Sequence, residues 1–234
     1  MPTKILSVWN GKMPFGAAWR PSFCYTPPCV QGISHFAHGL DIFNYIIRRF
    51  SVSGEVMVRH CSPTLAGLKT GSMFSYPFAN NSDLYDSVRY WNRLFTGKGL
   101  RVLPLCHRDG RALIYVFRPQ KLCQDLRDST ACELLRRCGY CDKEPQKCIL
   151  HLMKRLNEDG AFPHEVGLFL GYPPVDVQGF IENNAKNSKY VGYWKVYGDE
   201  QAARKRFELY DRCTRIYCQR WAKERNIERL TVAG

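Results

Sequence analysis

Apolar and polar positions follow two rhythms along this chain, one helical and one β, interrupted by turn residues. Between Asp83 and Phe95, Leu84, Val88, Trp91 and Phe95 recur at helical steps, and Thr96-Gly97-Lys98-Gly99 supplies a stop. Leu100–Leu105 and Ala112–Phe117 are apolar, β-branched runs on either side of His107-Arg108-Asp109-Gly110. Asp-Gly between two such runs predicts a hairpin, and Pro119 ends its second strand. Helical patterning then covers 119–138, 145–158, 163–170 and 173–184, and the aromatic run Lys189–Tyr197 reads as one more strand. Asp199 is placed to cap a long last helix, in which Ala203, Phe207, Tyr210, Thr214, Tyr217 and Trp221 share one face. Arg204, Lys205, Arg212 and Arg215 occupy the other face, while Cys213 and Cys218 fall on opposite flanks of the apolar stripe and cannot pair within the helix.

These elements predict an α+β fold: a small antiparallel sheet, made of the 100–117 hairpin and a strand near 190–197, packed by helices. Residues 1–38, rich in proline and aromatics and without period, read as an irregular arm. A short apolar helix is expected over 41–50, inside a single domain spanning 39–224, with 225–234 as a C-terminal tail.

Composition narrows the class. The chain has 234 residues, 45% of them hydrophobic and 13% aromatic, enough apolar surface for a core rather than a disordered chain. No apolar run approaches the ~20 residues of a membrane span. Eleven cysteines without an apolar secretory segment at the start predict reduced thiols and a cytoplasmic location. The formal net charge of +13 suits an acidic partner or nucleic acid through long-range attraction, although no run of five or six like charges occurs.

Four constellations carry candidate chemistry. In His60-Cys61-Ser62-Pro63-Thr64, Ser62 and Pro63 suit the cap and first position of a helix, which would set the Cys61 thiol at a positive helix end. Cys138, Cys141, Cys148 and His151 give a C-x2-C-x6-C-x2-H spacing whose soft ligands suit zinc, with Cys132 as a substitute ligand. The segment 163–184 resembles a helix-turn-helix around Gly171, yet its expected outer positions Asp176, Gln178, Gly179 and Glu182 include no cation to read DNA. Finally, residues 183–195 interleave lysines with Tyr190, Tyr193 and Trp194, a pattern that holds rings and acidic ligands.

The stretches HCSPTLAGLKTGSMFSY (60–76), FPHEVGLFLGYPPVDVQGFIEN (162–183) and YVGYWKVYGD (190–199) together resemble the bacterial domain-of-unknown-function 3793 family, over about residues 41–222. The resemblance implies no established activity and supplies no catalytic residues; it points only to redox and iron-handling surroundings. The first 40 or so residues and the Cys138, Cys141, Cys148 set depart from the family's pattern. Together the residues favour a thiol- or redox-linked ligand site. Cys61 would be its nucleophile and His164 its base, across a pocket bordered by His60, Thr64, Lys69, Glu165, Trp194 and Lys195. Glu165 is expected to satisfy amides at the start of its own helix. A nucleic-acid-binding module and a structural interaction protein are the alternatives.

Overall fold

The computed structural model describes residues 52–141, 144–158 and 162–234. The expected arm over 1–38 and the helix over 41–50 lie outside the described residues. Helix α1 (Gly54–Leu65) comes first, capped by Ser53, whose hydroxyl accepts from the Val56 amide at 3.3 Å. Strand β1 (Gly71–Pro77) follows, then α2 (Asn81–Phe95), capped by Asn80. The hairpin β2 (Arg101–Arg108) and β3 (Arg111–Phe117) turns at Asp109-Gly110, both with positive φ, as the sequence predicts.

The sheet is antiparallel in the order β1-β3-β2, with Gly71 opposite Phe117 and Tyr76 opposite Ala112. Its third strand is therefore β1, not the 190–197 segment. Two serines and a starting glycine hide β1 from a hydrophobic pattern, although Ser72, Phe74 and Tyr76 alternate with Met73 and Ser75 as a strand requires. The 190–197 run forms a separate small hairpin of β4 (Tyr190–Val191) and β5 (Lys195–Val196).

Alternation along β3 divides the core. Ala112, Ile114 and Val116 face a cluster with Met57, Cys61, Leu65, Trp91 and Phe95, built by α1 and α2. Tyr115 and Phe117 face the opposite cluster, which includes Leu122, Leu134, Leu152 and Phe169. That second layer comprises α3 (Pro119–Asp125), α4 (Ser129–Arg137), α5 (Pro145–Asn157), α6 (Val166–Phe169) and α7 (Pro174–Glu182). The 119–138 helix of the sequence reading is thus two helices, because Asp128 breaks the run and caps α4 by accepting from Thr130 and Ala131. The helix expected over 163–170 shrinks to one turn.

At the sheet edge, Gly71 permits the closest approach. A Cβ there would lie 2.5 Å from the Tyr115 ring and 2.8 Å from the Phe169 carbonyl, to which the Tyr115 hydroxyl donates at 2.6 Å.

Helix α8 (Glu200–Glu224) carries the face predicted for it: Ala203, Phe207 and Tyr210 are buried, with Phe207 against Trp194 at 4.5 Å. Residues 225–234 are not a tail. The short helix α9 (Ile227–Leu230) buries Ile227 and Leu230, and the Val232 amide donates to the Leu65 carbonyl at 3.0 Å. No helix among the described residues is long and apolar enough to cross a membrane.

Candidate functional site

Cys61 lies within α1, not ahead of a helix start, because the helix begins at Gly54 and Pro63 sits in its last turn. The Ser62 hydroxyl donates to the Val58 carbonyl one turn back instead of capping. Cys61 is wholly buried, and burial pushes its thiol up to about 12 against the pull of the nearby Lys69 ammonium and a hydrogen bond with Ser72. A helix interior has no free amides to favour a thiolate. The native thiol is therefore expected to resist iodoacetamide at pH 8.5 while exposed Cys141 reacts, which pulsed alkylation with peptide mass spectrometry reads directly. Labelling of Cys61 at the rate of Cys141 would contradict this burial.

Thr64 and Ser72 share a hydrogen bond of 2.9 Å beside this thiol, closing the polar seam between α1 and β1. His60 stacks on Phe74 with ring centres 5.1 Å apart, and desolvation together with Arg59 lowers its pKa. His164 belongs elsewhere. It lies before α6, in the layer on the far side of the sheet, with its ring edge-on to Phe180 at 5.0 Å. Burial lowers its pKa while Glu165 pulls the other way. Cys61 packs among Met57, Leu65, Ile114 and Val116, so the sheet and its side chains stand between thiol and imidazole. The structure does not bring Cys61 and His164 together.

Glu165 does not cap its own helix either. It is buried, and accepts from the Tyr140 hydroxyl at 3.0 Å and from Arg155, which also donates to the Cys138 carbonyl at 3.2 Å. This triad locks α4 and α5 to the start of α6. The Glu165 carboxylate in turn raises the Tyr140 hydroxyl's pKa, after desolvation.

The zinc set also dissolves. Among the described residues no group of three His, Cys, Asp or Glu side chains is placed to hold a metal ion. Cys148 is in the core, Cys141 is exposed, His151 packs on the Tyr140 ring at 4.2 Å, and Cys132 donates to the Leu126 carbonyl. Cysteine here serves as a small apolar residue.

Two residues that pattern reading passed over organise the remaining site. Asp176, expected on an outer face of α7, is 3% exposed. Its carboxylate accepts from the Trp194 indole at 2.7 Å and from the Tyr197 and Gly198 amides at 2.8 and 2.7 Å. Its position two residues after a Pro-Pro start, ahead of an aromatic run, is the available signal. Tyr172 stacks on Trp194 with centres 4.8 Å apart and has the Lys69 ammonium 5.3 Å from its ring centre. Lys195 donates to the Ala185 carbonyl at 2.6 Å. His164, Tyr172, Asp176, Phe180, Trp194 and Lys195 border one cavity of about 30 Å³, room for a water molecule. His164, Trp194 and Lys195 thus border this cavity with Tyr172, while Lys69 meets the Tyr172 ring and lies near Cys61.

The helix pair over 163–184 lacks the proportions of a helix-turn-helix. Its first helix has four residues, Asp176 is spent on the β4-β5 hairpin, and Gln178 donates to Glu182 at 2.7 Å. A family model described as a protein of unknown function, DUF3793, matches residues 57–231. The chain belongs to the DUF3793 family. The match reaches through α9, in keeping with the packed C-terminal segment of this DUF3793 member. No curated protein and no solved structure matches the chain.

Proposed function

We propose that this protein is a binding module that docks an acidic, amphipathic helix of a partner protein along the outer face of α8. The observation that carries this reading is the unpaired charge on that face. Lys205, Arg212, Arg215, Arg220 and Lys223 are exposed, and among the described residues none of them has a carboxylate within ion-pair distance. Elsewhere surface arginines mostly do, as in Arg59–Glu55 and Arg136–Glu133. From Lys205 to Lys223 the stripe runs for roughly 27 Å at 1.5 Å per residue. The chain's net charge of +13 adds a field that draws an acidic partner in.

Charge alone would equally suit nucleic acid. Leu209 and Ile216 tip the choice, because both are 40% exposed, stand seven residues apart, and lie between the cations on the same helical face. A phosphate backbone gains nothing from aliphatic carbon, whereas a partner helix places apolar side chains at that spacing. Glu208 at the margin of the stripe sets one like-signed boundary for such a partner.

The test uses the full chain and a fluorescein-labelled 20-residue helical peptide with leucine at heptad positions and glutamate beside them. Its controls are the same peptide with serine for leucine, a duplex DNA and a single-stranded RNA. Anisotropy is expected to show peptide binding that falls with salt and is weakened by both Arg212→Glu and Ile216→Ser. Binding indifferent to Ile216→Ser but stronger for DNA or RNA overturns the reading in favour of nucleic acid. No binding of the leucine peptide at low salt overturns it outright.

A further inference from the structure

A second feature of the molecule is independent of the α8 face. After α1 the chain reverses at Gly67, whose φ is +75°, and the Leu68 and Lys69 amides donate to the Pro63 carbonyl at 2.8 and 3.1 Å. That reversal turns the Lys69 side chain inward, where only 8% of the residue remains exposed. Its ammonium has the Tyr172 ring at 5.3 Å and the Cys61 thiol close enough to feel its charge. Among the described residues no carboxylate pairs with it and no carbonyl accepts from it.

Such a cation is costly. Taking an ammonium out of water is repaid only by an opposite charge and by hydrogen bonds to its three protons. The thiol beside it stays protonated, so it offers no negative charge. The carboxylate that might have served, Asp125, takes the Thr70 hydroxyl instead, and faces Lys121 and Arg206. Arg118 shows what a satisfied buried cation looks like in this fold, with carbonyl oxygens of Thr64, Leu65 and Val232 within 2.9 Å. Lys69 has nothing comparable.

We infer that Lys69 is the cationic floor of a binding site for a small anion, a carboxylate or inorganic oxyanion, which supplies the missing counter-charge. The ammonium donates to the anion, and the Tyr172 ring lines the site beside it. Trp194 backs Tyr172, and Asp176 fixes Trp194, so the α7 region and the β4-β5 hairpin hold the ring in place. Lys69 is 8% exposed, so only a small group reaches the ammonium without displacing the fold around it. The amine, rather than the Cys61 thiol, is then the chemical centre, held beside the Tyr172 ring that Trp194 backs.

The test compares wild type, Lys69→Met and Lys69→Arg as full chains in sodium acetate, sodium phosphate and sodium chloride of equal ionic strength. Acylation of Lys69 by acetic anhydride, read by peptide mass spectrometry, reports the amine directly. In wild type, acetate or phosphate at about ten times its dissociation constant is expected to slow Lys69 acylation about tenfold relative to chloride, with saturation. The same salt raises the thermal midpoint of wild type, does so at least partly in Lys69→Arg, and leaves Lys69→Met unmoved. Protection by acetate but not phosphate assigns a carboxylate ligand; the converse assigns an oxyanion. Equal acylation rates in all three salts overturn the inference. So does an equal midpoint rise in wild type and Lys69→Met.

Discussion

Arg118→Met is expected to destabilise the fold by ~3–5 kcal/mol, the loss of three short charge-assisted hydrogen bonds to backbone carbonyls. Arg118 is 3% exposed and ends the sheet just after β3. Its Nε donates to the Thr64 carbonyl at 2.8 Å, and Nη2 donates to Leu65 and Val232 at 2.9 and 2.7 Å. Thr64 and Leu65 close α1, where the last carbonyls carry the negative end of the helix dipole and have no partners within the helix. One guanidinium therefore caps a helix and pins the C-terminal strand of chain to it. Methionine fills the volume of the stem but donates to none of these carbonyls; Thr64 and Leu65 keep the Gly67 and Val232 amides at 3.1 and 3.0 Å, while Val232 loses its guanidinium donor. Arg118→Lys recovers only part of the loss, since an ammonium cannot span carbonyls from two segments as a planar fork does. Urea unfolding measures the effect, and hydrogen exchange at Val232 and Gly234 should accelerate in step. A loss below about 1 kcal/mol, with those amides still protected, would show that water replaces the guanidinium.

That role also explains why the packing of residues 225–234 is not legible in the sequence. Residues 225–234 contain Arg225, Asn226, Glu228 and Arg229, which read as a polar tail. Their anchors are Ile227 and Leu230, two apolar residues on one turn, and backbone groups that pattern reading does not see. Long, strongly periodic elements were legible: α2, the β2-β3 hairpin with its Asp-Gly turn, and the buried face of α8. Strand β1 was not, because its inward positions include Ser72, which is buried for its hydrogen bond to Thr64 rather than for hydrophobicity.

The site was legible in part, and for a physical reason. Pro63 and Ser62 form a fair helix-start signature, yet a helix already under way from Ser53 absorbs a proline in its final turn. That displacement by nine residues moves Cys61 from an electropositive end to a packed interior, and its chemistry with it. Trp194 and Lys195 border one cavity with His164 and Tyr172, whereas Lys69 reaches the Tyr172 ring from the end of α1. Tyr172 and Asp176 were missed since their roles are tertiary: one is set by a lysine 103 positions earlier, the other by a hairpin about 20 positions later.

Lys69→Met is expected to raise the stability of the anion-free protein at pH 7, by ~1–4 kcal/mol, opposite in sign to the Arg118 variant. Methionine keeps the length and apolar stem of lysine while removing a charge that, among the described residues, meets the Tyr172 ring but no carboxylate or carbonyl. The pH dependence gives a second signature. Burial lowers the Lys69 amine to about 8 in the folded protein, with Cys61 pulling slightly the other way, whereas an unfolded lysine titrates near ~10.4. Between those values the unfolded chain holds more protons than the folded one, so this group's contribution makes stability rise with pH. Below pH ~8 both states are protonated and the full penalty stands. Above ~10.4 both are neutral and the penalty is gone, so the advantage of Lys69→Met should shrink across that window. Cys61 works in the opposite direction, since its folded thiol is pushed up to about 12, but it is present in both proteins and largely cancels from their difference. Chemical unfolding at pH 7, 8.5 and 10 supplies the three differences. A Lys69→Met protein less stable than wild type at pH 7 would mean the ammonium is already compensated within the fold, and the anion site would lose its physical basis.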